Sequence, residues 1–342
     1  MSMIELFYAF CSGSFGAMMG ASGAFAMTGC MCMIGMAALF GGADSAFFHN
    51  CVTFGPLTLP AITFAGGAAA AHFARKRRYV PQGEGRNITR ALLNLQKPDV
   101  ILFGGIVGTL GYALNVLMTK LGLGAAMDTS ATAIVIIALG LKLLFDGELL
   151  GRANIPGGIG RYHPDAPCWQ ATMTRPFDKV LYGGLIAGMA ACCVSQVMAS
   201  DNAAFAKYGV FLPFGFSSIV LLLNLGGTNA PTTHHITLCA AYTMANGGGS
   251  IGWGIIGGIV AVFMADLLGR TFHMYGDCYV DPAALAICVT TPLVQWLLPM
   301  TGIYQFLPEF IPWVIIAAAA VVSYLLQRKQ ARSTPSNREV SV

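Results

Sequence analysis

Residues 100–123 read VILFGGIVGTLGYALNVLMTKLGL, twenty-four residues with Lys120 as the one charge. About 20 apolar residues in a helix cross the hydrocarbon core of a bilayer. The stretch is continuously apolar rather than alternating, so it reads as a spanning helix and not as a barrel strand. The same character recurs at 133–141 and 314–322. Of the 342 residues, 56% are hydrophobic and 10% are charged, with a mean hydropathy of +0.66. A typical soluble domain carries roughly 25% charged residues. These values exclude a soluble globular domain, a disordered chain and a nucleic-acid binder. They predict an all-α polytopic membrane protein of about ten or eleven spans, with the lipid bilayer as its first partner.

The apolar segments fall at 4–24, 26–41, 52–74, 100–123, 129–146, 179–199, 208–225, 231–246, 250–272, 281–298 and 310–327. The first 42 residues read as two spans, or as one span and a re-entrant piece. Their orientation follows from charge, because cytoplasmic loops retain Lys and Arg. Arg75, Lys76, Arg77, Arg78, Arg86, Arg90 and Lys97 crowd the connection after the third segment. Arg328, Lys329, Arg332 and Arg338 mark the C-terminal tail, eight segments later, so both face the same side. The 147–178 connection, with Arg152, Arg161 and Arg175, joins them. Of 19 Lys and Arg, Lys120 and Lys207 alone fall outside. The expected home is a prokaryotic cytoplasmic (inner) membrane with the C-terminus inside.

A second copy of the 100–123 pattern lies 153 residues on. Gly104-Gly105-Ile106-Val107 aligns with Gly257-Gly258-Ile259-Val260, and Asp128 aligns with Asp281. At an offset of 174, Ile62-Thr63-Phe64-Ala65 reads against Ile236-Thr237-Leu238-Cys239. The 21-residue difference is the size of the basic insert. We therefore read residues 1–150 as a first five-helix repeat with a basic cytoplasmic insert at about 75–99. A linker at 151–178, a second repeat at 179–300, an extra helix at 301–327 and a tail at 328–342 follow. Five spans is an odd number, so the two repeats are expected to be inverted, with broken or re-entrant helices, as in secondary transporters.

Polar residues in a bilayer cost a few kcal/mol each and need a reason. The densest group is Gly226-Gly227-Thr228-Asn229-Ala230-Pro231-Thr232-Thr233-His234-His235. Gly-Gly and Pro interrupt the helix, and the apolar run after them is short. Such a helix start offers free amides and a positive dipole end. Thr228, Asn229, Thr232, Thr233, His234 and His235 are thus the expected substrate-binding residues, for a small organic anion or zwitterion; the plainer reading is a turn between spans. The first repeat holds its counterpart at Phe54-Gly55-Pro56-Leu57-Thr58-Leu59-Pro60. Asp128, Thr129, Ser130 and Asp281 are the expected cation-coupling residues, for Na+ or H+. Asp128 and Asp281 also suit helix N-caps, and Pro282 suits the first helical position. His273, Asp277 and Cys278 have metal-ligand chemistry and would serve a transition-metal transporter, although their spacing matches no zinc motif.

No nucleophile motif, HExxH or Walker lysine occurs, so neither an enzyme nor an ATP-driven pump is expected, and no cofactor beyond a coupling ion. A passive channel and a subunit of a larger complex are the other readings. The many small residues, as at Gly16-x3-Gly20, Gly104-x3-Gly108 and Gly254-x3-Gly258, suit close helix packing and allow a homodimer. The GGTNAPTTHH and HMYGDCYVDPAA stretches resemble a group of prokaryotic integral membrane permeases, which implies transport of a small molecule or ion. The broken helices in a five-plus-five inversion are also similar in outline to the amino-acid/sodium symporter architecture.

The charge reading makes a direct prediction. A phosphatase fused after residue 123 is active outside the cell, one fused after residue 97 is inactive, and a fluorescent protein at the C-terminus matures inside. An active phosphatase after residue 97 reverses the topology.

Overall fold

In a computed structural model, residues 1–43, 49–228 and 230–333 are described, and they form helices joined by turns and loops, with no strand among them. The helices are α1 (Met3–Met19), α2 (Ala21–Phe40), α3 (Pro60–Lys76), α4 (Pro98–Lys120), α5 (Thr129–Asp146) and α6 (Pro176–Met198). They continue as α7 (Ala203–Leu225, in three short pieces), α8 (His234–Asn246), α9 (Ile251–Leu268), α10 (Pro282–Pro292) and α11 (Ile311–Ser333). A π-helical turn extends α9 to His273, and another carries α10 on towards Thr301. Among the described residues, eight helices are long and apolar enough to cross a membrane. The chain is a multi-pass helical membrane protein.

Three helices fall short of that length, and two of them for one reason. The 52–74 segment opens on the end of a π-helical turn, His49–Thr53, and the 231–246 segment opens outside helix. Gly55 and Pro56 then keep the chain out of helix until Pro60, and Pro231 does so until His234. At 13 residues, α8 is about 20 Å long, short of the ~30 Å hydrocarbon core. The third, α1, ends at Gly20, whose φ of 85° is a conformation L side chains rarely adopt. Residues 3–40 are therefore two helices that part at Gly20.

Two triads carry the packing. Helices α1, α3 and α4 pack on one another, and so do α6, α8 and α9. In each case α5 or α10 lies against the triad, and α5 meets α10 between them. Likewise α2 packs on α3, α7 packs on α8, and α2 meets α7. Small residues set the spacing. A Cβ built on Gly66 of α3 would lie 2.6 Å from the Gly104 carbonyl oxygen and 2.9 Å from that of Gly13. A Cβ on Gly254 of α9 would lie 2.8 Å from Ala191 Cβ of α6. Helices in lipid gain most from such backbone-to-backbone approach, since no water is released between them.

The basic connections gather at one end. Arg86 donates to the carbonyls of His273 and Met274, at 3.2 and 2.8 Å. Lys142, fully buried, donates to the carbonyls of Phe272 and Tyr275. Arg161 reaches the Thr271 carbonyl at 3.1 Å, and Arg270 reaches those of His163 and Ala166. Cations at carbonyls near the end of α9 answer both the orphan acceptors and the negative dipole end. Arg270 also pairs with Asp266 at 2.8 Å, and Asp266 pairs with Lys179. The three form an ion triad in which Lys179 and Arg270 are buried.

Replacing Gly66 with Val is expected to force the α1–α3–α4 crossing apart and to cost on the order of 1–3 kcal/mol. The readout is a fall in melting temperature of the detergent-solubilised protein. Gly140→Ala is the control: nothing lies within 4 Å of a Cβ there, so its melting temperature is unchanged or higher.

Candidate functional site

The N-termini of α3, α5, α8 and α10 meet at a cavity of about 210 Å³. Pro60 opens α3, Asp128–Ala131 open α5, His234 opens α8, and Asp281 caps α10; all line it. The remaining wall comes mainly from Phe25 of α2, Phe54 and Leu59 of the broken segment, Asn115 of α4, Phe211 and Phe214 in the middle of α7, and Tyr242 of α8.

Contacts fix how the four helices run. The Tyr242 hydroxyl donates to Asp128 Oδ2 at 3.4 Å, although Tyr242 lies eight residues beyond the start of α8. The Asp128 amide donates to the Thr291 hydroxyl at 3.0 Å, late in α10. Hence α8 and α10 run antiparallel to α5, and eight residues, about 12 Å of helix rise, separate His234 from Tyr242 along α8. The Ala61 amide donates to Ser130 Oγ at 3.2 Å, which sets the start of α3 beside the start of α5. Two helices begin at one end of the cavity and two at the other.

The helix ends are satisfied unequally. Asp128 Oδ1 accepts from the Ala131 amide at 2.8 Å and caps α5. Asp281 accepts from the amides of Ala283 and Ala284, at 3.2 and 3.0 Å, and caps α10. Both aspartates are thus N-caps and cavity residues together, as their dual reading allowed. Helix α8 has no side-chain cap at its start. His234 is 5% exposed and its Nδ1 is buried without a hydrogen-bond partner.

The sequence grouping of candidates is only partly that of the structure. Asp128, Thr129, Ser130 and Asp281 come together at the cavity, and His234 joins them. The other expected substrate residues do not line it. His235, the next residue round the helix, packs on Trp169 with ring centroids 5.6 Å apart. Thr232 gives its carbonyl to the Gln170 side chain at 2.8 Å, Thr233 is buried at the start of α8, and Thr228 is exposed. Asn229 lies outside the described residues.

The alternative metal trio does not assemble. His273 packs edge-on against Tyr279, and Asp277 pairs with Arg75 at 3.0 Å and accepts from the Gly83 amide at 2.7 Å. Burial pushes the Cys278 thiol up to about 12, and it donates to the Ala138 carbonyl at 3.5 Å. A thiol held in that form is a poor ligand, since the thiolate binds metal. Among the described residues, no group of three His, Cys, Asp or Glu is placed to hold a metal.

Asn115, Tyr242 and the four phenylalanines were missed by sequence reasoning. Asn115 and Tyr242 had a legible signal, being polar residues within apolar helices, with Asn115 accepting from Thr129 at 2.8 Å. The phenylalanines had none, because aromatic residues in an apolar helix look like any other core.

A family model matches residues 1–159 and 169–313. The chain belongs to DUF7973, a family of unknown function. No curated protein and no solved structure matches it. Membership of this family covers both triads and the cavity between them.

If Asp281 acts as a cap, Asp281→Ala costs about 1 kcal/mol of stability while Asp281→Asn costs a few tenths, because Asn caps as well as Asp. Equal losses in chemical denaturation of the two variants would refute the capping role.

Proposed function

We propose that the protein is a secondary transporter carrying a small polar solute, an organic anion or zwitterion, by alternating access and coupled to Na+ or H+. The observation that carries this reading is the cavity at which four helices begin, two from each end. Broken helices whose amide ends meet inside the membrane are how transporters expose backbone donors to a solute without exposing them to lipid.

The inverted repeat is the second support. Helices α4 and α9 start 153 residues apart, as do α5 and α10, and α3 and α8 start 174 apart. The packing partners correspond: α1, α2, α3, α4 and α5 relate to one another as α6, α7, α8, α9 and α10 do. Residues from both groups of five line the cavity. Two halves pointing in opposite directions can exchange conformations, and a site at their interface then opens to either side. In this scheme α11 is the single extra helix, packed on α6 and α9.

Within the cavity, oxygens of Asp128, Thr129, Ser130 and Asp281 are the set for the coupling cation. His234 and the uncapped start of α8 are the set for the solute. The basic ends lie in the cytoplasm of a prokaryotic cell, with the C-terminus inside, and the resemblance to permeases points the same way.

The test is thermal stability of the purified protein with organic acids, amino acids, simple anions and divalent metals, each with and without Na+ and at two pH values. A solute that binds only the folded state stabilises it by about 2.7 kcal/mol at a hundred times its Kd. Stabilisation by an organic anion or zwitterion, greater with Na+ or at lower pH, is the expected result. Stabilisation by a transition metal alone, or by nothing in the panel, overturns the reading.

A further inference from the structure

Resting on that transporter reading, we infer that the cavity is built for a compact ammonium zwitterion: its positively charged nitrogen lies at Asp128 and the ring wall, its carboxylate at the start of α8. This narrows the solute from any organic anion to one that carries an ammonium group, and it moves Asp128 from the coupling-cation set to the solute set, leaving Thr129, Ser130 and Asp281 to the coupling ion.

The first argument is charge. The cavity is lined by the carboxyl groups of Asp128 and Asp281, and among the described residues no Lys or Arg lines it. A plain organic anion would enter an apolar enclosure with two carboxyls and no cationic side chain. The positive ends of α5 and α10 do not alter this, since each is already capped by its own aspartate. Asp128 Oδ2 has acceptor capacity left, because the Tyr242 hydroxyl reaches it only at 3.4 Å and a carboxylate offers about four lone-pair sites.

The second argument is the wall beside that carboxylate. Ring centroids follow one another from His234 to Phe25 at 4.5 Å, to Phe214 at 5.9 Å, to Phe54 at 6.1 Å, to Phe211 at 4.8 Å and to Tyr242 at 6.1 Å. A chain of aromatic rings that ends on a carboxyl group is the surface that holds an ammonium ion, through the negative ring faces.

The third argument is the opposite end. Helix α8 starts without a side-chain cap, and the buried, unpartnered His234 lines the cavity there. A carboxylate is the natural acceptor for a free helix start. The cavity of about 210 Å³ holds roughly seven waters at ~30 Å³ each, which suits a solute of about eight non-hydrogen atoms.

Matched pairs separate the ammonium from the rest of the solute. Glycine betaine and 3,3-dimethylbutanoate share shape and carboxylate and differ in the charged nitrogen. L-Valine and 3-methylbutanoate differ by the amino group. With the full chain in detergent, at least one ammonium member is expected to raise the melting temperature where its partner does not. Asp128→Asn keeps the helix cap and is expected to raise the half-saturating concentration about tenfold or more. If that variant does not fold, Phe211→Leu is used, and it is expected to shrink the preference for the ammonium member over its partner. Equal stabilisation by the carboxylate partners overturns the inference and leaves an organic-anion transporter standing. Silence from all four compounds also overturns it; the transporter reading fails only if the wider panel is silent too.

Discussion

Everything in this molecule depends on where the backbone may stop being helical inside a membrane. A free amide or carbonyl facing hydrocarbon costs several kcal/mol, so an unwound segment at that depth must be enclosed by protein. The segment before Pro60 is enclosed in that way. The Thr58 carbonyl accepts from Thr28 Oγ1 at 2.6 Å, and Thr58 Oγ1 itself donates to the Val52 carbonyl at 2.7 Å. The start of α3 gives its Ala61 amide to Ser130. The segment before His234 is less completely answered, because α8 begins without a side-chain cap. That difference leaves the start of α8 the less satisfied end of the cavity.

The triads supply the rigidity that such an interior needs. Close approach at Gly13, Gly66 and Gly104 leaves no slack for water or lipid between α1, α3 and α4. At the basic end, charge rather than shape does the holding. Arg86 and Arg161 tie two connections, and Lys142 ties α5, to the carbonyls around the end of α9, while Arg270 there reaches the carbonyls of His163 and Ala166. A buried cation with well-placed acceptors is costly to unpair, so this end is held firmly. The cavity is lined from both the α1–α5 group and the α6–α10 group.

Much of the fold was legible because its signals are long. A run such as residues 100–123 admits one reading in a bilayer, and the helices end close to the limits that charge and Pro/Gly placement set. The 153-residue offset, found in a few glycines and two aspartates, reappears as equal helix starts at Pro98 and Ile251. The candidate site was legible in part. Asp128 and Asp281 could be picked out since an acidic residue next to an apolar helix is rare and must be satisfied. The threonines before His234 could not be sorted, because their types suit a ligand site and a turn equally well, and Gln170 from a distant connection takes the Thr232 carbonyl.

The sequence by itself determined that the chain is helical and membrane-crossing, where its helices break, and which residues are too polar to be idle. Periodicity, composition and breaker residues are local, so they survive without coordinates. Only the tertiary structure decided that the break before α8 and the two aspartates belong to one cavity. His234 faces it while His235 turns to Trp169, a matter of one residue's rotation about the helix axis. The rings of Phe25, Phe54, Phe211 and Phe214 become a wall only because α2 packs on α7, α7 packs on α8, and Phe25 meets His234. Such convergence joins residues nearly 190 positions apart, and no local pattern records it.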